Sequence, residues 1–557
     1  MHGCFRAVVL AAAVVTWGCG VNGSETPTPD RILVGGSVWT GDASLPTAEA
    51  VSIANGRITA VGGSEEIRAL AGPDSDVIEL DGRFAMPGFI DTHTHFLDGG
   101  LRLESVDLRD ASSRAEFARR LKEYAEQLPP GTWILGGDWD HELWGGELPD
   151  RAWIDEITPQ HPVFVTRLDW HMALANSRAL ELAGFDPSAP DPAGGEIVRD
   201  ETGRPTGVFK DEAMGFLFAA VPEPTHAEQD SALSAAMRYA ASLGVTGVHD
   251  MGTWDGLAAY ERAHARGALT LRVRAFVPLS TVERLATFVD GRGGVGDDML
   301  SWGGLKGFVD GSLGSSTALF FDPYLDTPST SGLTVIGMDE LADRVRAADA
   351  AGLQVAIHAI GDRANAELLD LYGNLVREHG ARDRRYRIEH AQHLRPEDYR
   401  RFAEFGVIPA MQPYHAIDDG RWAERKIGPD RARSTYAFRS LEAAGARPAF
   451  GSDWTVAPLD PLLGVYAAVT RQTLDGAHPD GWIPDQKVSV DQALTAYTRD
   501  AARAGFCEDR VGTIRPGMLA DIVVLDRSPF DVEPERIKDL QVEMTIVGGE
   551  TVFERGG

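Results

Sequence analysis

Short runs of alternating hydrophobic and polar residues begin at Arg31: RILVGGSVWT, then AVSIANGRITAVGG, then DVIELDGRFAM. A period of two predicts strands. In the second run Asn55-Gly56 separates Ile53 from Ile58, the pattern of a tight hairpin. The end of the chain repeats the style, with ADIVVLD and VEMTIVGGETVFE reading as strands and a Gly-Gly turn inside the second. The two ends are therefore expected to build one module together, a β-sandwich from residues 31–85 and 505–557.

Between the ends the rhythm changes to the helical period. Leu233, Met237 and Ala240 precede Gly244 and the apolar VTGVHD, and Leu341, Val345 and Ala348 precede Gly352 and LQVAIHAIGD. Gly380, Gly406 and Gly445 stand in the same relation to YRIEHAQH, VIPAMQP and ARPAFGSD. A glycine just past a helix lets the backbone turn left-handed before the next strand. Taken with FAMPGFIDTHTH, LRVRAFVP and LKGFVDGS, these runs make eight parallel strands alternating with helices. That count predicts an α/β fold, a closed (β/α)8 TIM-type barrel over 86–504. Residues of about 100–235 exceed one crossover, so an inserted subdomain is expected after barrel strand one, lying as a lid over the barrel mouth.

Composition narrows the picture. At 557 residues the chain has room for a barrel and an appended module. Its 53 Lys plus Arg against 83 Asp plus Glu leave a net charge of −30, which repels phosphate backbones, so nucleic acid is not an expected partner. Residues 1–19 carry Arg6, an apolar run too short to span a membrane, and small residues before Cys19. This pattern predicts a secretory signal and an exported, periplasmic or secreted protein. Cys19 after Gly18 resembles the lipid-attachment cysteine of bacterial lipoproteins, with Thr16 where those signals usually carry Leu. Such an anchor would be the chain's one link to a membrane. Residues 20–30 read as a flexible linker. Once the signal is removed only Cys507 remains, which excludes a disulfide framework and a cysteine-based zinc site.

The candidate chemistry lies at the strand ends. In PGFIDTHTHF, His93 and His95 are two apart and share one face of a strand. Lys306 falls in strand four, His358 in five, His390 in six, and Asp453 ends strand eight. In such barrels the active site lies at the carboxyl ends of the strands, so these six residues are expected to converge there. Imidazoles with a carboxylate suit Zn²⁺ or a similar divalent ion, one or two per chain.

With this ordered set of motifs, joined by GGEIVRD, FVDGSLGSSTA, HAIGDRAN, RIEHAQ, QPYHA, GSDW and GMLADIVVLD, the chain resembles the amidohydrolase superfamily. The likeness is to its amidohydrolase 3 branch, metal-dependent hydrolases that resemble N-substituted formamide deformylases, and it covers nearly everything from Arg31 onward. The resemblance implies that His93 and His95 hold the more buried metal, with Asp453 touching this metal and shuttling the proton. It implies that His358 and His390 hold a second metal. Lys306 is placed like the family's carboxylated lysine, whose carbamate bridges both ions; Lys210, in GVFKD within the insertion, is the other lysine that could take this part. The implied activity is hydrolysis of a small amide, N-formyl, N-acyl or cyclic amide compound.

Other residues carry weaker expectations. His415 is expected to face the mouth and touch substrate, and Asp310, with Gly311 and Ser312, either lines the site or only turns the chain. Trp139, His141, Trp170 and His171 form two aromatic-histidine clusters, from which Trp139 and His171 are taken as substrate contacts against the alternative of packing. His249 and His393 read equally as core histidines, and Asp362 as a helix cap. An esterase or lactonase using the same ions and a non-catalytic binding lipoprotein are the rival readings. The oligomeric state stays open, a homodimer included.

Overall fold

The computed structural model describes residues 28–103 and 105–556. The signal, Cys19 and most of the linker lie outside the described residues. The end of the expected linker is already docked: Asp30 donates its N–H to Ile53 O at 2.9 Å and accepts from Asn55 N at 2.6 Å.

Eight parallel strands form the barrel: β1 (Phe89–Thr94), β2 (Val245–Met251), β3 (Arg272–Pro278), β4 (Leu300–Phe308), β5 (Gln354–Ala359), β6 (Arg387–His390), β7 (Ile408–Met411) and β8 (Ala449–Phe450). Each pairs with the next in sequence order. β1 and β2 are buried along their whole length, as strands covered on both faces must be. β8 is short, and the ring is completed just beyond it, where Asp453 N–H bonds His93 O and His95 N–H bonds Trp454 O, both at 2.7 Å. The helix His226–Ser242 packs against the barrel with Leu233, Met237 and Ala240 buried and is started by a reciprocal Thr225–Glu228 cap.

The run FAMPGFIDTHTH is not one strand. Phe84–Pro87 pairs with Ile522–Leu525 in a sheet at the chain ends, and only Phe89–Thr94 enters the barrel. Both halves are apolar and buried, so periodicity could not reveal the break at Gly88. Two sheets, one of Arg31–Val34, Ala50–Ala54, Arg57–Gly62 and Asp76–Glu79 and the other centred on Phe84–Pro87 and Ile522–Leu525, share a core of Leu33, Val51, Ile53, Ala85, Ile522 and Ile546. This is the sandwich built from both ends. Its Asn55-Gly56 hairpin has φ of 51° and 72° at the two turn residues and sets Ile53 opposite Ile58.

The insertion after β1 carries a six-stranded sheet of its own, from Val106–Asp107 to Gly195–Arg199, with separate apolar cores on its two sides. Arg421 reaches Asp140 at 3.2 Å, Arg425 reaches Glu142 at 2.7 Å, and Arg109 donates to Val456 O at 2.6 Å and to Thr455 O. These contacts hold the subdomain against the carboxyl-terminal end of the barrel.

Candidate metal centre

Period two along β1 turns Asp91 and His93 inward, and His95 follows beyond the strand end. Asp91 accepts the N–H of His93 at 3.0 Å and of Ser452 at 2.9 Å. Burial pushes its carboxyl up to about 7, against the pull of these hydrogen bonds. Gly451 permits this approach, because a Cβ there would stand 2.6 Å from both Asp91 Oδ1 and His93 N. The loop after β8 is thereby tied to β1, and Asp453, at φ 60°, turns its carboxylate between the histidines.

Asp453 Oδ1 lies 3.5 Å from His93 Nε2 and 3.4 Å from His95 Nε2, and it is a buried oxygen with no hydrogen-bond donor among the described residues. Two ligands at about 2.0–2.1 Å from a tetrahedral ion are roughly 3.3 Å apart, so the spacing matches a shared divalent cation. Ligand atoms of His93, His390 and Asp453 also lie within 4.8 Å of one another. His93 directs Nδ1–H to Glu389 Oε2 at 2.5 Å, which turns its Nε2 lone pair toward Asp453, while His390 Nδ1 meets Gln412 Oε1 at 2.8 Å and lies 4.0 Å from Asp453 Oδ2. Burial holds both imidazoles well below the usual histidine range and therefore neutral, the form that binds metal. The residues fit a divalent ion.

Lys306 Nζ is 3.2 Å from His93 Nε2. Burial pulls its ammonium down to about 8, against the opposing charges of Glu389 and Asp453. The His358 ring lies 4.5 Å from that of His390, and its Nε2 bonds Gly311 O at 3.0 Å, leaving Nδ1 as the lone-pair atom. All six strand-end residues border one cavity of about 240 Å³. Lys210 is elsewhere, paired with Glu196 at 2.9 Å on the subdomain hairpin.

The subdomain supplies part of the cavity wall. His171 borders it with Nδ1 on Asp211 Oδ1 at 2.6 Å; burial opposes its charge, but the Asp211 carboxylate more than offsets this and raises its pKa. Trp170 stacks on His95 at 5.2 Å. His415 also borders the cavity, and its Nε2 is buried without a partner among the described residues.

Two expected substrate contacts are corrected. Trp139 is fully buried in the subdomain core, its Nε1–H on Val165 O at 2.9 Å, and does not reach the cavity; its neighbour Asp140 does. Asp310 is likewise fully buried and accepts from the backbone N–H groups of Leu319, Ile360 and Gly361 at 2.7–3.0 Å. It fixes the loops beside His358 and does not line the site. His249 and His393 are core residues, and the cap before Asp362 is Gly361.

Sequence reasoning missed the pair beneath the ligands. Arg387 grips Glu389 with two hydrogen bonds, at 2.7 and 2.9 Å, both side chains fully buried, and Glu389 in turn orients His93. The signal was present, since Arg387 and Glu389 are two apart on β6. Also missed was the charged wall of Arg167, which lies 2.7 Å from Asp169 and 3.1 Å from Asp140.

Comparison with known proteins agrees with this geometry. The family model described as the amidohydrolase family matches residues 76–553. The Arabidopsis thaliana protein LONG AFTER FAR-RED 3 is 41% identical over 94% of this chain and 91% of its own length. The N-substituted formamide deformylase of Arthrobacter pascens is 31% identical over 96% of this chain and 100% of its own. The crystal structure of an uncharacterized metal-dependent hydrolase from Pyrococcus horikoshii OT3 superposes with a TM-score of 0.74 at 31% identity, covering 90% of this chain and 99% of that one.

Proposed function

This chain belongs to the amidohydrolase family and is a metal-dependent hydrolase, and from that premise we propose that it cleaves a non-peptide C–N bond of a small amide, N-formyl, N-acyl or cyclic amide compound. The observation that carries the reading is the orphaned Asp453 Oδ1 between two imidazole nitrogens at the mouth of the barrel. The likeness to a formamide deformylase supports an amide over an ester.

We assign His93, His95, His390 and Asp453 to one ion, zinc by its ligand preference. His358 and Lys306 would hold a second, Lys306 after its neutral amine has taken up CO₂ as a carbamate. The metal supplies Lewis acidity, making water more acidic and polarising the substrate carbonyl. Asp453 takes a proton from the attacking water at its carboxylate and returns it to the departing nitrogen, as base and then acid. Arg387 and Glu389 keep the His93 ring in one orientation through both steps. His171, whose protonated form Asp211 favours, faces the substrate from the subdomain side and is placed to donate a hydrogen bond to it, with His415 as a further contact. The apolar leader and Cys19 support export, with lipid attachment as the anchor.

The test pairs Asp453→Asn with a screen of formamides and N-acyl amines, each beside its matching ester. Turnover of an amide that falls by roughly 10²–10⁴ in the variant, assayed with metal supplied in excess, supports the proposal. Turnover of esters alone, or activity indifferent to Asp453, overturns it.

A further inference from the structure

At the amino-terminal end of the barrel, opposite the metal centre, lies a second cavity of about 40 Å³ lined by Arg272, Arg274, His249, Asp521, Arg510 and Cys507, among others. A space of this size holds about one water-sized occupant. Three arginines and three aspartates border it, but they are not paired one to one. Arg272 is held by Asp521 through bonds of 2.5 and 2.7 Å, Arg510 by Asp298 at 2.6 Å, and Asp297, at the rim, pairs with His264 at 2.9 Å. Arg274, only 8% exposed, has no carboxylate within ion-pair distance among the described residues. Its Nε and Nη2 share the amide oxygen of Gln354, at 3.3 and 2.9 Å. The rings of Phe276 and Phe506 lie 5.6 and 5.5 Å from it.

Neighbouring charges do not compensate it either. Arg387, Arg385 and Arg510 are close enough to oppose its charge, and burial pushes the Cys507 thiol up to about 11, so the sulfur is neutral at pH 7. Burial lowers the guanidinium itself only to about 10, and it remains charged. A buried charge without a counter-ion is costly, and removing it from water is repaid only by an opposite charge close by.

His249 provides the second donor. Its Nδ1 receives a hydrogen bond from Arg387 Nη1 at 2.9 Å, and because a guanidinium can only donate, the ring proton must sit on Nε2. That N–H has no acceptor among the described residues, and it faces Gly505, where a Cβ would stand only 2.6 Å from Nε2. Glycine at this position leaves the space beside the donor open.

We propose that this cavity is a binding site for a small monovalent anion, chloride in the first instance, held between Arg274 Nη1 and His249 Nε2–H. The ligand class follows from one positive charge that no carboxylate meets, two free donors and the small volume beside them. A water molecule would satisfy the donors but leave the charge of Arg274 unanswered.

The experiment is a crystal of the metal-loaded full-length protein grown in sodium bromide, with diffraction collected at the bromine edge. An anomalous peak within hydrogen-bonding reach of both Arg274 and His249 is the expected result. Ordinary water density there, or bromide only on the surface, overturns the proposal. In solution, Tm in sodium chloride should exceed that in sodium gluconate at equal ionic strength by an increment, on the order of 2 °C, that saturates with concentration. Arg274→Met should lose this dependence; a variant that keeps it refutes the assignment, and if that variant fails to fold the bromide peak decides alone.

Discussion

The chemistry of single residues here is set by burial. A lysine of ordinary basicity is almost wholly protonated at neutral pH and inert toward CO₂, but Lys306 is drawn down to about 8. Only the neutral amine reacts, and its fraction rises with pH below that value and levels above it. Carbonate-dependent reactivation of metal-stripped enzyme should therefore increase about fivefold from pH 7 to 8, roughly twofold more to pH 9, and then flatten. A rise that continues unabated toward pH 10 would mean that Lys306 titrates as an exposed lysine. Glu389 acts at the same scale: Glu389→Gln keeps the shape but weakens the hold on His93 Nδ1–H and leaves Arg387 without its counter-charge. Metal affinity, measured by competition with a chromophoric chelator, should fall 10- to 100-fold. The meeting of the six candidate side chains on one cavity was legible in the sequence because each lies at or near the end of a barrel strand. Trp139 and Asp310 were misplaced because nearness to a strand end says nothing about which way a side chain turns. Trp139 turned into the subdomain core, and Asp310 turned onto three backbone amides.

At the scale of elements, the barrel strands were legible from glycine-terminated helical patterns followed by apolar runs, since a buried parallel strand has few other sequences open to it. The division of FAMPGFIDTHTH between two sheets was not, because neither half has a polar face to mark its partner. The turn after β8 carries the most function per residue. Gly451→Ala would place a methyl group 2.6 Å from Asp91 Oδ1 and His93 N, both parts of rigid neighbours. We expect a loss on the order of 2 kcal/mol in denaturant unfolding, accompanied by loss of metal, since the displaced loop carries Asp453. A variant with unchanged unfolding midpoint and full metal content would show that the loop can shift without moving its carboxylate.

For the whole molecule, the question is how the subdomain inserted after β1 stays in register with the barrel it covers. Its own cores are separate from that of the barrel, so placement depends on polar contacts across the boundary. Arg109 makes one close to the chemistry, donating to the carbonyls of Thr455 and Val456 just after Asp453. Arg109→Ala should raise KM roughly tenfold, the worth of a charged hydrogen bond, with metal content unchanged. An unaltered KM would mean that the pairs Arg421–Asp140 and Arg425–Glu142 suffice to seat the cap.

Of the four residues that make the two backbone bonds completing the ring, Asp453 to His93 and His95 to Trp454, three also meet around the orphaned oxygen: Asp453, which carries it, and the two histidines beside it. Seam and ligand cage are one object. An ion that draws these side chains together therefore also fastens the first strand to the last, as a clasp fastens a bracelet. Removing it would take away one fastening of that join, while the two backbone bonds and the other seven strand pairings still close the cylinder.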